Sequence, residues 1–74
     1  MITLRFHLPM PAGWSRIKRE AANGQFHKQA PDLDNLIKAV GDALWPKGDQ
    51  QIAMIDAAKF WADEKHARTE IRIS

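Results

Sequence analysis

The chain has 74 residues, a net charge of +2 and no cysteine, which excludes a disulfide framework and a thiolate zinc site. No apolar run approaches the roughly 20 residues that cross a membrane, and the N-terminus lacks the layout of a signal peptide, so we expect a cytoplasmic protein. We expect residues 1–74 to form one domain with a thin core, because a domain of this size buries only roughly 60% of its unfolded surface. Oligomerisation is the expected additional source of stability.

The charge is unevenly distributed along the chain. Five bases precede Pro31 and face a single acid, Glu20. These bases are Arg5, Arg16, Lys18, Arg19 and Lys28. From Asp32 onward, acids slightly outnumber bases. A nucleic-acid enzyme would use such a division, since bases hold phosphate and acids hold a cation. On charge alone, a solvated basic loop is the simpler interpretation.

The first half of the chain predicts a strand, a short helix and a loop. ITLRFHL alternates apolar and polar residues with period two, which is typical of a half-buried strand. Pro9 and Pro11 end it because proline cannot donate to a β-ladder. WSRIKREAA can form one or two helical turns with Ser15 as N-cap. NGQFHKQAP is predicted to be a basic, flexible loop, with a turn at Asn23-Gly24.

The second half predicts one clear helix and a closing strand. Apolar residues recur at three- and four-residue spacing from Leu33 to Leu44, with Asp32 as N-cap and an end near Trp45-Pro46. QQIAMIDAAKFWA is compatible with a helix or with a strand buried on both faces. RTEIRI alternates again. The predicted fold is α+β, with a small sheet of about three strands and one main amphipathic helix.

Four residues could carry chemistry: Asp32, Asp34, Lys38 and Asp49. Carboxylate oxygens with open water positions are the ligands that Mg²⁺ prefers, and a nearby lysine could stabilise charge on a phosphate. The alternative is structural: aspartates cap helices, an Asp–Lys pair at four-residue spacing lies on the surface, and Asp49 follows a turn glycine. The residues alone leave both interpretations open, and the structural one is the commoner.

Other candidates carry weaker signals. The three histidines, His7, His27 and His66, have no metal-ligand spacing, and His27 in the basic loop could contact phosphate or have no role. The serines lack a base for a catalytic triad. The tryptophans could stack on DNA bases but are more often core residues. No glycine-rich phosphate loop is present, so we expect no small-molecule cofactor.

A resemblance to a known family gives these residues a context. KQAPDLDNLIKAVGDAL, followed by GDQQI and a lysine ten residues after its aspartate, resembles the RusA-type Holliday junction resolvases. Their signature is close to P-D-L-D-N-L-x-K-A-x-x-D-A-L, then D-D-x-Q-[VI] and a downstream lysine. The opening strand and TEIRI fit as well, so the resemblance covers nearly the whole chain. It implies a homodimeric α+β nuclease of phage or prophage origin that cuts four-way DNA junctions symmetrically and requires Mg²⁺.

The resemblance also implies roles for individual residues. Asp32 and Asp34 match the family's magnesium-binding acids, Lys38 its catalytic lysine, and Asp49 the second acid of its D-D pair. Asp49 is expected to be both catalytic and a metal ligand. Lys59 matches the downstream lysine, whose role in the family is less certain. The residues expected to contact DNA are Arg16, Lys18, Arg19, Lys28 and Lys59.

The chain departs from the family pattern in two ways. Gly48 replaces the first acid of the D-D pair, which could weaken metal affinity. The family's upstream strand and helix have no counterpart before Met1, so we expect a short form with an exposed sheet edge that a partner chain could cover. Two alternative functions follow: a truncated relative that binds branched DNA without cutting it, and a remnant that only dimerises.

Overall fold

The computed structural model describes residues 1–46 and 54–74. The elements follow in the order β1 (Ile2–Pro9), α1 (Arg16–Ala22), α2 (Leu33–Leu44), β2 (Ile55–Ala62) and β3 (Arg68–Ile73). The sheet has the order β2-β1-β3, in which β1 pairs parallel with β2 and antiparallel with β3. This architecture confirms the predicted α+β class, with a sheet of three strands. None of the described helices is long and apolar enough to cross a membrane.

The core lies between β1 and α2. Ile2, Leu4 and Phe6 alternate along β1 and are buried on the same face of the sheet. The apolar stripe of α2 packs against them through Leu33, Leu36, Ile37 and Val40. The periodicity therefore predicted both the strand and the helix face correctly. The helix ends as expected, since the amide of Trp45 donates to the carbonyl of Gly41 at 2.8 Å before Pro46.

The ambiguous segment forms a strand over the part that is described. Ile55 to Ala62 pairs in parallel with β1, in a register that places Phe6 beside Lys59 and His7 beside Phe60. These residues do not form a helix, because their backbone groups make the hydrogen bonds of the sheet. Residues 50–53 of the same segment lie outside the described residues. The alternation places Ala57, Lys59 and Trp61 on the face that α2 covers.

The segment between the helices differs from the predicted flexible loop. α1 is confirmed, with the Ser15 hydroxyl accepting from the Lys18 amide at 3.2 Å. After a turn at Gly24, whose φ is 80°, the chain pairs with β2. Backbone hydrogen bonds of 2.9 Å join residues 24, 25 and 27 to β2, and Phe26 forms an antiparallel bridge with Phe60. The sequence could not predict this pairing, because it depends on the position of β2.

The other face of the sheet carries polar and aromatic side chains. Arg5 forms an ion pair with Asp56 at 3.1 Å, and His7 Nε2 lies 2.6 Å from a Glu70 carboxylate oxygen. The hydrogen bond with His7 lowers the pKa of the Glu70 carboxyl. The ring of His7 also stacks on Phe60, with centroids 5.6 Å apart. His7 therefore lies on the face opposite α2, as the alternation predicted, and it is only partly exposed there.

We expect Leu4→Ala to lower the free energy of unfolding by about 2–5 kcal/mol, because Leu4 is 2% exposed at the centre of the core. The matched control is Ile17→Ala on α1, where the side chain is 82% exposed and the change should stay within about 0.5 kcal/mol. Urea denaturation followed by circular dichroism measures both values. Equal losses in the two variants would contradict the assignment of the core.

Candidate active site

Asp32 and Asp34 lie at the start of α2, and both side chains are exposed. Asp32 occupies the predicted N-cap position, and its carbonyl accepts the first helical hydrogen bond, from the Leu36 amide at 3.2 Å. Its side chain makes no capping hydrogen bond, in contrast to the cap expected from the sequence. Asp34 accepts from the neighbouring Asn35 amide at 3.0 Å through Oδ1. The carboxylate of Asp32 is therefore not used to close the helix.

Neither carboxylate has a cationic partner among the described residues. The ion pairs in that part of the chain use four other acids: Glu20, Asp56, Asp63 and Glu70. The amides at the N-terminus of α2 and the helix dipole favour negative charge at this position. Two exposed acidic side chains thus lie at one helix end and form no ion pair with the described residues.

Lys38 lies one helical turn after Asp34, and both residues line one cavity between α2 and the sheet, with a volume of about 200 Å³. The remaining lining is mostly apolar and consists of Ile2, Leu4, Ile37, Val40, Gly41, Trp45 and Ile55. The structure therefore brings Asp34 and Lys38 to the same concave surface. Asp32 lies two residues before Asp34, at the mouth of the helix.

The third predicted carboxylate, Asp49, lies outside the described residues. Within residues 1–46 and 54–74, no group of three or more acid or histidine side chains is placed to hold a metal ion. Asp32 and Asp34 are thus the two predicted ligands whose positions can be described. Their oxygen donors are of the type that a hard divalent cation such as Mg²⁺ selects.

Lys59 approaches this helix end from β2. Its ammonium group donates to the carbonyls of Gln29 and Pro31, the latter at 2.6 Å. Pro31 directly precedes Asp32, so this contact fixes the chain just before the candidate site. The sequence predicted a DNA contact for Lys59, and its contacts in the structure are within the chain.

His27 is a residue whose environment the sequence did not predict. It is 5% exposed and lies with its ring centroid 3.8 Å from that of Trp61. Its Nδ1 accepts a hydrogen bond from the Gln29 amide at 3.3 Å. Burial, assisted by the charge of Lys59, lowers the pKa of His27. The ring is therefore a neutral acceptor at neutral pH, and it holds the segment that leads to Asp32.

The other predicted DNA contacts lie on α1 and on the segment that follows it. Arg16 pairs with Glu20 at 3.0 Å, and the Lys18 ammonium lies 4.3 Å from the centroid of the Trp14 ring. Arg19 donates to the carbonyls of Trp14 and Pro11, at 3.1 and 2.9 Å. Lys28 is exposed in the segment that precedes α2. All four lie before the acids in the chain, and Arg19 has a structural contact of its own.

Acids at a helix end, a lysine on the next turn and a preceding basic segment are compatible with phosphate chemistry and also occur as surface features of helices. The family model described as endodeoxyribonuclease RusA matches residues 1–74, the whole chain. The chain therefore belongs to the RusA endodeoxyribonuclease family, as the resemblance predicted, and the family is one of endonucleases that resolve Holliday junctions. Comparisons with curated proteins and with solved structures gave no significant match.

We expect the stability of the chain to fall as the pH drops below about 6.5, the ordinary pKa of histidine, because His27 has a lower pKa when folded. Between these two pKa values the unfolded chain binds the additional proton, so stability increases with pH by at most about 1.4 kcal/mol per unit. Urea unfolding across this range should show the dependence.

The matched variants are His27→Gln and His66→Gln. The first removes the buried ring and should flatten the dependence below pH ~6.5, since that pH is set by histidine titration. The second changes a histidine in the exposed turn between β2 and β3 and should leave the dependence in place. A dependence lost in His66→Gln and retained in His27→Gln would contradict the assignment.

Proposed function

We propose that the chain is a Mg²⁺-dependent endonuclease that resolves four-way DNA junctions as a homodimer, with Asp32, Asp34, Lys38 and Asp49 as its catalytic residues. The observation that carries the proposal is the pair of exposed carboxylates at the start of α2, without a cationic partner in the described residues and with Lys38 on the adjacent turn. Membership of the RusA family supports the reaction class.

Asp32, Asp34 and Asp49 are the residues that would hold the metal. The first two fit it by donor type, because they supply carboxylate oxygens that are not engaged in ion pairs with other described residues. A bound Mg²⁺ would supply Lewis-acid polarisation of the scissile phosphate and a more acidic water. The presence of Gly48 in place of a further acid leaves the site with these three aspartates.

The protein's own residues contribute charge and orientation. The helix dipole and the first amides of α2 favour the ionised form of Asp32 and Asp34. The Asn35 amide, 3.0 Å from Asp34 Oδ1, limits rotation of that carboxylate. Lys38 would stabilise the negative charge that develops on the phosphate oxygens as water attacks phosphorus and the sugar oxygen leaves. Fixed charges of this kind lower the barrier because they need no rearrangement during the reaction.

The junction backbone would be held by the basic residues that precede the acids. Arg16, Lys18, Arg19 and Lys28 are the proposed contacts, and their electrostatic attraction for phosphate is independent of base sequence. The contacts of Lys59 within the chain give it the different role that is argued below.

The exposed apolar residues of β3 support the homodimer. Ile71 and Ile73 lie at the edge of the sheet and are 45% and 66% exposed. An edge strand with exposed apolar side chains is a surface that a second chain can cover. The small core, in which β1 contributes Ile2, Leu4 and Phe6, gives a further reason to gain stability by association.

Asp32→Asn and Asp34→Asn should each slow cleavage of a synthetic four-way junction in Mg²⁺ by at least about 100-fold, because an amide replaces a charged oxygen ligand at nearly constant shape. Single-turnover cleavage at saturating protein measures this rate. Glu64→Gln, an exposed acid in the turn between β2 and β3, is the matched control and should cleave like the unmodified chain.

Full activity of Asp32→Asn would contradict the assignment of the metal ligands. A gel-shift assay in EDTA separates the remaining functions. If the unmodified chain binds junctions without cutting them in Mg²⁺, it acts as a binding module, and if it neither binds nor cuts them, the endonuclease proposal fails.

A further inference from the structure

We propose that Lys59 is a positioning residue for Asp32 and Asp34, which acts by holding the main chain immediately before α2, and that it does not contact DNA phosphate. The inference rests on the proposed function of the two aspartates. It assigns to a residue on β2 the task of setting where the helix, and therefore both carboxylates, begin.

The direct contact is between the Lys59 ammonium and two carbonyls. The carbonyl of Pro31 lies 2.6 Å from Nζ, and Gln29 supplies the other acceptor. An ammonium group has three donors, so two of them are used within the chain. The two carbonyl contacts hold the ammonium group beside the main chain that precedes α2, and one donor remains for solvent or another acceptor. The lysine is also only partly exposed, which limits its access to a large ligand.

The same residue of β2 also holds the other end of this segment. The carbonyl of Lys59 accepts from the His27 amide at 2.9 Å. Lys59 therefore fixes His27 by its main chain and Pro31 by its side chain. Between these two points, the His27 ring accepts from the Gln29 amide at 3.3 Å. Residues 27, 29 and 31 are thus each held by a hydrogen bond to Lys59, and residues 27 and 29 also bond to each other.

The attachment passes directly to the acids. Asp32 follows Pro31, and its carbonyl begins the hydrogen bonding of α2 at Leu36. A displacement of the Pro31 carbonyl would therefore move the first turn of the helix, which carries Asp34. Residues that orient metal ligands in this indirect way typically change metal affinity or activity by about 10–100-fold when they are replaced.

The first test compares amide hydrogen exchange in Lys59→Met and Lys28→Met, without DNA or metal. Methionine keeps the length of the side chain and removes the donors. Lys59→Met should accelerate exchange at residues 29–36, because the segment loses its attachment, while Lys28→Met should leave that exchange unchanged. Lys59→Arg retains donors and should restore part of the protection. Unchanged exchange in Lys59→Met would overturn the proposal.

The second test separates positioning from phosphate contact. For a positioning residue, Lys59→Met should bind a four-way junction in EDTA as tightly as the unmodified chain, with the same salt dependence. Its cleavage should be at least about tenfold slower, and its half-saturating Mg²⁺ concentration should rise. A phosphate contact predicts the opposite: weaker binding, with the salt slope reduced by about one.

Failure of the proposed function and misfolding of Lys59→Met can each be distinguished from failure of the positioning role. If the unmodified chain does not cleave junctions, the proposed function fails, and the exchange comparison still tests the role of Lys59. If circular dichroism shows that Lys59→Met does not fold, the unmodified chain provides the test. The ammonium signal of Lys59 is then followed by nitrogen-detected magnetic resonance. Slowly exchanging ammonium protons that are unaffected by added junction support positioning, and rapid exchange or a shift on binding overturns it.

Discussion

The pairing of residues 24–27 with the outer edge of β2 is the constraint on which the arrangement of this chain depends. The sheet order leaves β2 with one edge that β1 does not use, and the returning chain fills part of it through Gly24, Gln25 and His27. Covering an edge removes unpaired backbone groups that could otherwise recruit another chain. The pairing also gives the segment before α2 a fixed path, so that the helix begins beside Lys59 and lies over the apolar face of β1.

The proposed site lies at a helix end at which the main chain, and not the Asp32 side chain, makes the first helical hydrogen bond. The carbonyl of Asp32 begins the hydrogen bonding of α2, while its side chain makes no capping bond and carries no ion pair with the described residues. A conventional cap would have consumed that carboxylate in satisfying helix amides. Lys59 and His27 hold the segment that precedes this aspartate. The Asp32 carboxylate thus has neither a capping bond nor an ion pair with the described residues, which is the reason for proposing it as a metal ligand.

The parts of this structure that follow from local pattern were predictable, and the parts that depend on distant pairing were not. Period-two and period-3.6 patterns predicted β1, the face of α2 and the closing strand, because each pattern lies within one element. The predicted faces of β1 and α2 form the core, whereas every residue of β3 is exposed. The β2 segment was ambiguous, since apolar residues occur on both of its faces and give no clear alternation. The burial of His27 and the contacts of Lys59 depend on residues about 30 positions apart, which no local pattern records. The family motif made Asp32, Asp34 and Lys38 candidate site residues, whereas their chemistry alone favoured a helix cap and a surface pair.

The central claim is that the start of α2 binds a divalent cation, and a titration with Mn²⁺ tests it most directly. Mn²⁺ accepts the same oxygen ligands as Mg²⁺, and its unpaired electrons broaden the resonances of nearby nuclei. In the isotopically labelled chain without DNA, small additions of Mn²⁺ should broaden the amide signals of residues 32–35 before those of the acidic turn at Asp63 and Glu64, and excess Mg²⁺ should reverse the effect. Broadening centred on that turn, or none at residues 32–35, would contradict the account.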